Sequence, residues 1–226
     1  MSEAVARDVV VTGGTGYVGR PLIAHLITRG HRVVALARAG SKSRVPGGAV
    51  LVEGSALRTD DVARALTPGC TLVLLVGTPH PSPAKARQFQ EVDLASVRAA
   101  AQAVTMSPVA HVVYVSVAHP APLMEAYIAV RSDGERLLAA TGVPVTVLRP
   151  WYVLGQGHWW PYALTPVYWL LERIPSTRDS ALRLGLVTHA QMLAALTVAV
   201  EHPPVDGVRI VEVPAIRAAG LQAVVP

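Results

Sequence analysis

The chain has 226 residues, enough for one domain with a sizeable core or for a nucleotide-binding domain with a small appendage, and too few for two independent domains of ordinary size. Its 20 Lys and Arg against 15 Asp and Glu leave a net charge of +5, but the cations are scattered along the chain rather than clustered, which argues against a nucleic-acid surface. The single cysteine, Cys70, excludes an intrachain disulfide, prolines interrupt the long uncharged stretches so that no membrane span is expected, and residues 1–8 leave no room for a signal peptide, so a cytoplasmic protein is expected. Cys70 lies beside an apolar run and reads as a buried small hydrophobe rather than a nucleophile.

Taken in chain order, short β-branched runs alternate with Ala/Leu/Arg-rich segments of helical length, the pattern of βαβ crossovers and a parallel sheet. Strands are predicted at Asp8–Thr12, Arg32–Ala37, Ala49–Glu53, Thr71–Val76, His111–Ser116 and Val145–Arg149, and their nearly continuous Val and Leu content predicts burial on both faces. Helices are predicted at Tyr17–Arg29, Thr59–Leu66, Lys85–Val104 and Met124–Thr141, with Gly30 and Gly142 as C-terminal stops. After Arg149 the texture changes. Trp151, Tyr152, Trp159, Trp160, Tyr162, Tyr168 and Trp169 are interspersed with Gly155, Gly157, Pro161 and Pro166, a composition that fits a lid or pocket wall, a hydrophobic oligomer contact or a peripheral membrane contact. A helix over Gln191–Glu201 with Thr188 as N-cap and a strand over Val208–Val213 follow, and the tail beyond Pro214 is expected to be loose. The fold class is therefore α/β: a Rossmann-like doubly wound sheet over residues 1–150, with residues 151–226 adding a small C-terminal cap and the last sheet elements to the same structural domain.

The segment DVVVTGGTGYVGRPL sets a strand directly before Gly14-x-Gly16-x-x-Gly19 and a helix directly after it. In that context Gly13 and Gly14 permit a tight turn, Gly16 lets a pyrophosphate approach the backbone, and Gly19 allows helix and strand to pack closely, while the helix start offers free amides to the anion. Thr12, Gly13, Gly14, Thr15, Gly16, Tyr17, Val18 and Gly19 are thus the expected dinucleotide-binding turn. An NAD site carries an acid at the end of the second strand to bind the ribose 2′-hydroxyl. Here the chain reads ALARAGSKSR, so Arg38, Ser41, Lys42 and Arg44 occupy that region; Arg38 carries most of the argument that NADP(H) is preferred over NAD(H). Gly77 and Thr78, after the fourth strand, are further expected binding residues, because a short residue lets ribose and adenine lie against the backbone.

These residues, with VVYVS ending at Ser116, Tyr127-x-x-x-Arg131 and VTVLRP ending at Pro150, resemble the short-chain dehydrogenase/reductase superfamily over nearly the whole chain, in particular its atypical NmrA-like and epimerase-like members. The resemblance implies an NADP(H)-dependent oxidoreductase or epimerase-like enzyme acting on a small organic substrate, as monomer or homodimer. It implies Tyr127 as proton donor or acceptor, Arg131 as the cation that orients ribose, and Ser116 as the hydroxyl that polarises a substrate oxygen. Active members of the superfamily carry Tyr-x-x-x-Lys on one helix face, where the ammonium helps the phenol to release a proton. Arg131 in place of lysine, and Val117 where many relatives have a second hydroxyl, leave open a cofactor-binding sensor or assembly factor without chemistry. Ser55 stands where relatives often have an aspartate near the adenine, and Asp93 where they often have asparagine; Asp93 reads as a polar contact near the crevice or as an exposed helix acid. His80, His119 and His158 follow predicted strands and could donate a proton, or lie in exposed loops. No metal-ligand spacing is present, so no metal site is expected.

Overall fold

Runs of Val, Leu and Ala form every predicted strand in the computed structural model, which describes residues 5–121, 124–154 and 175–222; burial on both faces holds for the central strands but not for Val50–Glu53, which has no buried residue because it lies at the sheet edge. β1 (Asp8–Thr12), β2 (Arg32–Ala37) and β6 (Val145–Arg149) have the predicted bounds, while β3 (Val50–Glu53), β4 (Thr71–Leu74) and β5 (His111–Val115) are shorter by one or two residues. At two of these shortened ends the chain stays tied to the sheet: the Leu75 amide donates to the Thr12 carbonyl at 3.1 Å, and the Ser116 amide to the Leu148 carbonyl at 2.8 Å. Two short strands absent from the predicted set, β7 (Tyr152–Leu154) and β8 (Leu186–Thr188), pair with each other in parallel. The last strand, β9 (Val208–Glu212), joins the main sheet beside β6.

All seven strands of the main sheet are parallel, in the order β3-β2-β1-β4-β5-β6-β9. The connections lead outward from β1 in both directions, so the loops leaving β1 and β4 diverge and open a crevice at the carboxyl edge, where open α/β sheets bind ligands. Three helices, α1 (Gly19–Thr28), α2 (Thr59–Ala65) and α3 (residues 86–105), precede β5; α4 (Glu125–Ala139), α5 (Pro175–Arg183), α6 (His189–Glu201) and α7 (Val213–Gln222) follow it. One core layer packs Val10, Leu72, Val112 and Val147 under α2, α3 and α4; the other packs Val9, Val11, Val73 and Val113 under α1, α6 and Ile216 of α7.

Local chemistry explains the helix ends. Thr188 caps α6 through a reciprocal capping box: its hydroxyl accepts from the Gln191 amide at 3.2 Å, and the Gln191 side chain accepts from the Thr188 amide at 2.9 Å. The expectation of a loose tail beyond Pro214 is overturned, because residues through Gln222 form α7 and its Val213 and Ile216 are fully buried. Proline is tolerated there since the first-turn amides of a helix have no internal acceptor. The aromatic stretch beyond Leu154, with His158, Trp159, Trp160 and Trp169, lies outside the described residues. No helix among the described residues is long and apolar enough to cross a membrane.

Candidate dinucleotide site

Thr12 closes β1 with its hydroxyl turned into the sheet, donating to the Val73 carbonyl at 3.5 Å, so its side chain is structural. Gly13 then takes a φ of +74°, and a Cβ there would lie 2.7 Å from the Leu75 carbonyl carbon, so glycine lets β1 and β4 come together at their ends. At Gly14 a Cβ would meet the Ile23 side chain at 2.6 Å, and at Gly19 it would collide with the Gly13 carbonyl oxygen and lie 2.7 Å from the Gly14 Cα. Gly19 thus packs the helix start onto the turn itself, a more local contact than the helix-on-strand packing expected. Gly16 differs: it is exposed, its amide donates to the Gly13 carbonyl at 3.0 Å, and beyond that carbonyl nothing would meet a Cβ. No side chain caps α1, and no acceptor among the described residues takes the amides of Val18 and Gly19. Unsatisfied amides at a helix start, beside an open glycine, suit an anion.

The turn opens onto a groove of about 960 Å³ between α1 and the 3-10 turn Ala39–Arg44, lined by Thr15, Gly16, Tyr17, Arg20, Pro21, Ala24, Ser43, Arg44, Val45, Pro46 and His189. His189, in the first turn of α6, closes one end: its ring packs tilted at 56° against that of Tyr17, centroids 4.7 Å apart, and its Nε2 hydrogen-bonds the Tyr17 carbonyl at 3.2 Å. Sequence reasoning missed His189 because the contact spans 172 residues. Arg38 is exposed at the start of the 3-10 turn, and Lys42 pairs with Glu53 at 3.6 Å, so that lysine faces an acid at the end of β3.

At the end of β4 the expected binding pair belongs to a buried ion-pair cluster. The helix carrying Asp93 widens into a π-helical stretch, Phe89–Leu94, a distortion frequent at functional sites. Asp93 is 0% exposed and accepts from the Thr78 amide at 3.0 Å, the Thr78 hydroxyl at 2.6 Å and Nη2 of Arg131 at 2.6 Å. Of the two expectations for Asp93, the polar contact near the crevice is the one found. Arg131, 5% exposed, also donates from Nη1 to the Val115 carbonyl at 3.1 Å. A Cβ on Gly77 would collide with the Arg131 guanidinium, so the arginine by itself requires a short residue there. Burial works against the charge on Arg131, but Tyr127, Tyr114 and Asp93 outweigh it and hold the guanidinium above its ordinary pKa.

Tyr127 and Arg131 share a face of α4, with the guanidinium carbon 5.0 Å from the centre of the tyrosine ring. The ring also packs against Phe89 at 4.9 Å and is half-buried. Ser116 donates to Glu135 Oε1 at 2.5 Å, and Glu135 in turn takes Nε of Arg149 at 3.0 Å. Glu135 was not singled out from the sequence, although its place one helical turn beyond Arg131 marks the same face. His119 Nε2 lies 3.6 Å from Glu135, and Val117 is buried. Ser116 and Arg131 therefore each have a buried carboxylate partner. His80 sits in a loop whose carbonyl takes Lys85 Nζ at 3.0 Å.

Residues 13–157 match the family model described as NAD(P)H-binding. No curated protein sequence matches the chain. Among solved structures, the chain is similar to a short-chain dehydrogenase/reductase superfamily protein from Agrobacterium tumefaciens with bound NAD, at 17% identity and a TM-score of 0.67 over 91% of this chain and 77% of that one. It is similar to the Bordetella bronchiseptica enzyme WbmG in complex with NAD, at 18% identity and TM-score 0.65 over 100% and 81%. A UDP-glucuronic acid 4-epimerase from Bacillus cereus in complex with NAD gives 15% identity and TM-score 0.66 over 91% and 77%. With its uncapped glycine turn, its parallel sheet and a match over more than half its length, the chain belongs to the NAD(P)H-binding family, on a fold shared with short-chain dehydrogenases/reductases and sugar-nucleotide epimerases.

Proposed function

We propose that the chain is an NADP(H)-dependent oxidoreductase or epimerase-like enzyme acting on a small organic substrate at the carboxyl edge of the sheet. The observation that carries the cofactor half of this reading is the turn of Gly13 to Gly19, with an open Gly16 and unsatisfied amides at Val18 and Gly19. Thr15 and Tyr17 flank those amides, and Gly77 and Thr78 border the same crevice. Arg38, exposed at the end of β2 with no acid bonded to it among the described residues, favours the phosphorylated cofactor. A bound nicotinamide supplies two-electron redox chemistry; the chain's own groups handle the proton.

Tyr127 is the hydroxyl we assign to that task and Arg131 supplies the positive charge beside its ring; Ser116, whose one hydroxyl proton is donated to Glu135, would polarise a substrate oxygen only by turning from that carboxylate. A lysine at position 131 could both hold charge and bond ribose. Arg131, whose Nη atoms bond Asp93 and Val115, keeps the first role and transfers the second to other groups. The prediction is that Tyr127→Phe abolishes NADPH oxidation across a panel of carbonyl compounds while NADPH affinity is retained. Undiminished oxidation by the variant would move the proton chemistry elsewhere.

A second reading, a cofactor-binding sensor or assembly factor without turnover, draws support from the carboxylate partners of Ser116 and Arg131. It predicts NADPH binding with no oxidation by the starting protein under the same panel.

A further inference from the structure

We propose that the amino edge of the sheet carries a second anion site, separate from the glycine turn, in which Arg7, His111 and Arg209 hold a small oxyanion such as inorganic phosphate or a carboxylate. The inference is independent of the dinucleotide reading, because all three residues stand at the opposite end of the strands from that turn.

The parallel sheet brings the three together from distant parts of the chain. His111 opens β5; Arg7 stands directly before β1, two strands away, and Arg209 is the second residue of β9, two strands away on the other side. Thr146 of β6, in register with Arg209, links two of them: its hydroxyl accepts from Nη2 of Arg209 at 3.1 Å and lies 2.9 Å from Nε2 of His111. Burial, reinforced by Arg209 and Arg7, pushes the His111 imidazole down to about 4, so the ring is neutral at pH 7 and carries one proton. Among the described residues, His111 Nε2 is the acceptor that the Thr146 proton meets, which assigns the ring proton to Nδ1. That Nδ1–H is buried without a partner, and so are the Nε–H groups of Arg7 and Arg209. Buried donors without an acceptor are costly, and three at one edge call for a shared one.

Charge points the same way. Neither arginine has a carboxylate partner among the described residues. Arg7 donates from Nη2 to the main-chain carbonyl of Glu201 at 3.0 Å, while the Glu201 carboxylate is taken by Arg29 at 2.5 Å and His31 at 3.2 Å. Asp8 is held by two donors of Arg32 at 2.5 Å. Arg209 is half-buried, and burial draws its pKa below the ordinary guanidinium value, as befits a cation short of counter-charge. Two guanidinium groups and a neutral N–H, with no acid among them, suit the oxygens of an oxyanion. A groove of about 400 Å³, lined in part by Arg7, Asp8, Arg32 and Gly69, opens this edge to solvent.

The test titrates the full chain, labelled with 15N-histidine, with inorganic phosphate and with acetate at constant ionic strength set by chloride, and follows the ring signals of His111, identified by their loss in His111→Gln. The expected result is a saturable shift of the Nδ1–H signal by phosphate, by acetate or by both, with a Kd of about 1 mM or tighter for the better anion. Phosphate without acetate assigns a phosphate site, and acetate without phosphate a carboxylate site. Arg7→Gln and Arg209→Gln should each weaken binding roughly tenfold, the usual worth of a charged hydrogen bond. Arg209→Lys, which keeps the charge and loses the fork, serves where the glutamine variant fails to match the melting temperature of the starting protein, and it too should bind more weakly. No saturable shift with either anion, the same shift on adding chloride alone, or undiminished binding by the arginine variants overturns the site and leaves buried water as the acceptor. The signal belongs to His111, far from the glycine turn, so failure of the dinucleotide reading would leave this result untouched.

Discussion

Position 77 shows how a single residue can carry a reason different from the one its type suggests. A glycine at the end of β4 reads from sequence as room for a ligand, yet the space where its Cβ would lie holds the Arg131 guanidinium, itself fixed by Asp93. Gly77→Ala is expected to destabilise the protein by about 1–3 kcal/mol, the usual cost of overpacking a rigid site. The penalty should shrink in an Arg131→Lys background, where the slimmer side chain can yield; additive penalties in a urea-melt double-mutant cycle would show that the two residues do not compete for that space. The phosphate turn was legible as a backbone pattern but not in every reason: Gly16 stands open, whereas Gly13 answers to Leu75 across the sheet and Gly19 to the turn itself. Asp93–Arg131 and Ser116–Glu135 were not legible: these buried pairs span 38 and 19 residues, and nothing in a single sequence states which carboxylate meets which partner.

Among the elements, the central strands were readable because burial on both faces leaves continuous Val and Leu runs, and α6 because Thr188 and Gln191 spell out its cap. β7 and β8 were not, since three-residue strands carry no usable period and find each other only across 34 residues of chain. α7 was missed because Pro214 reads as a stop, although it stands where a helix tolerates proline. β5 makes a separate demand at its amino end. His111 is fully buried, hydrogen-bonded to the Thr146 hydroxyl at 2.9 Å, and burial, reinforced by Arg209 and Arg7, pushes its pKa down from 6.5 to about 4. The unfolded chain takes up a proton below pH 6.5 that the folded chain refuses until about pH 4, so stability is full above that window and falls through it. The loss from this group should approach about 3 kcal/mol at the acid end. Urea melts from pH 7.5 downward should show it, and His111→Gln should flatten the dependence; an equally steep loss in the variant would assign the acid sensitivity to other groups.

At the scale of the whole molecule, the sheet order places the divergent loops of β1 and β4 beside each other, and everything assigned to the cofactor or to chemistry lies along that edge. α6 connects the last third of the chain to it, since His189 holds the Tyr17 carbonyl while Met192 and Leu196 are buried in the core beneath α1. The phosphate turn is thus braced from both ends of the sequence, and a bound dinucleotide should stabilise the entire domain by mass action. Calorimetric titration of the full chain with NADPH and NADH, alongside Gly16→Val, tests this most directly. The account predicts saturable binding by the starting protein and none by the folded variant, whose new side chain would fill the open face of the turn. No saturation with either nucleotide, or undiminished binding by Gly16→Val, would contradict it.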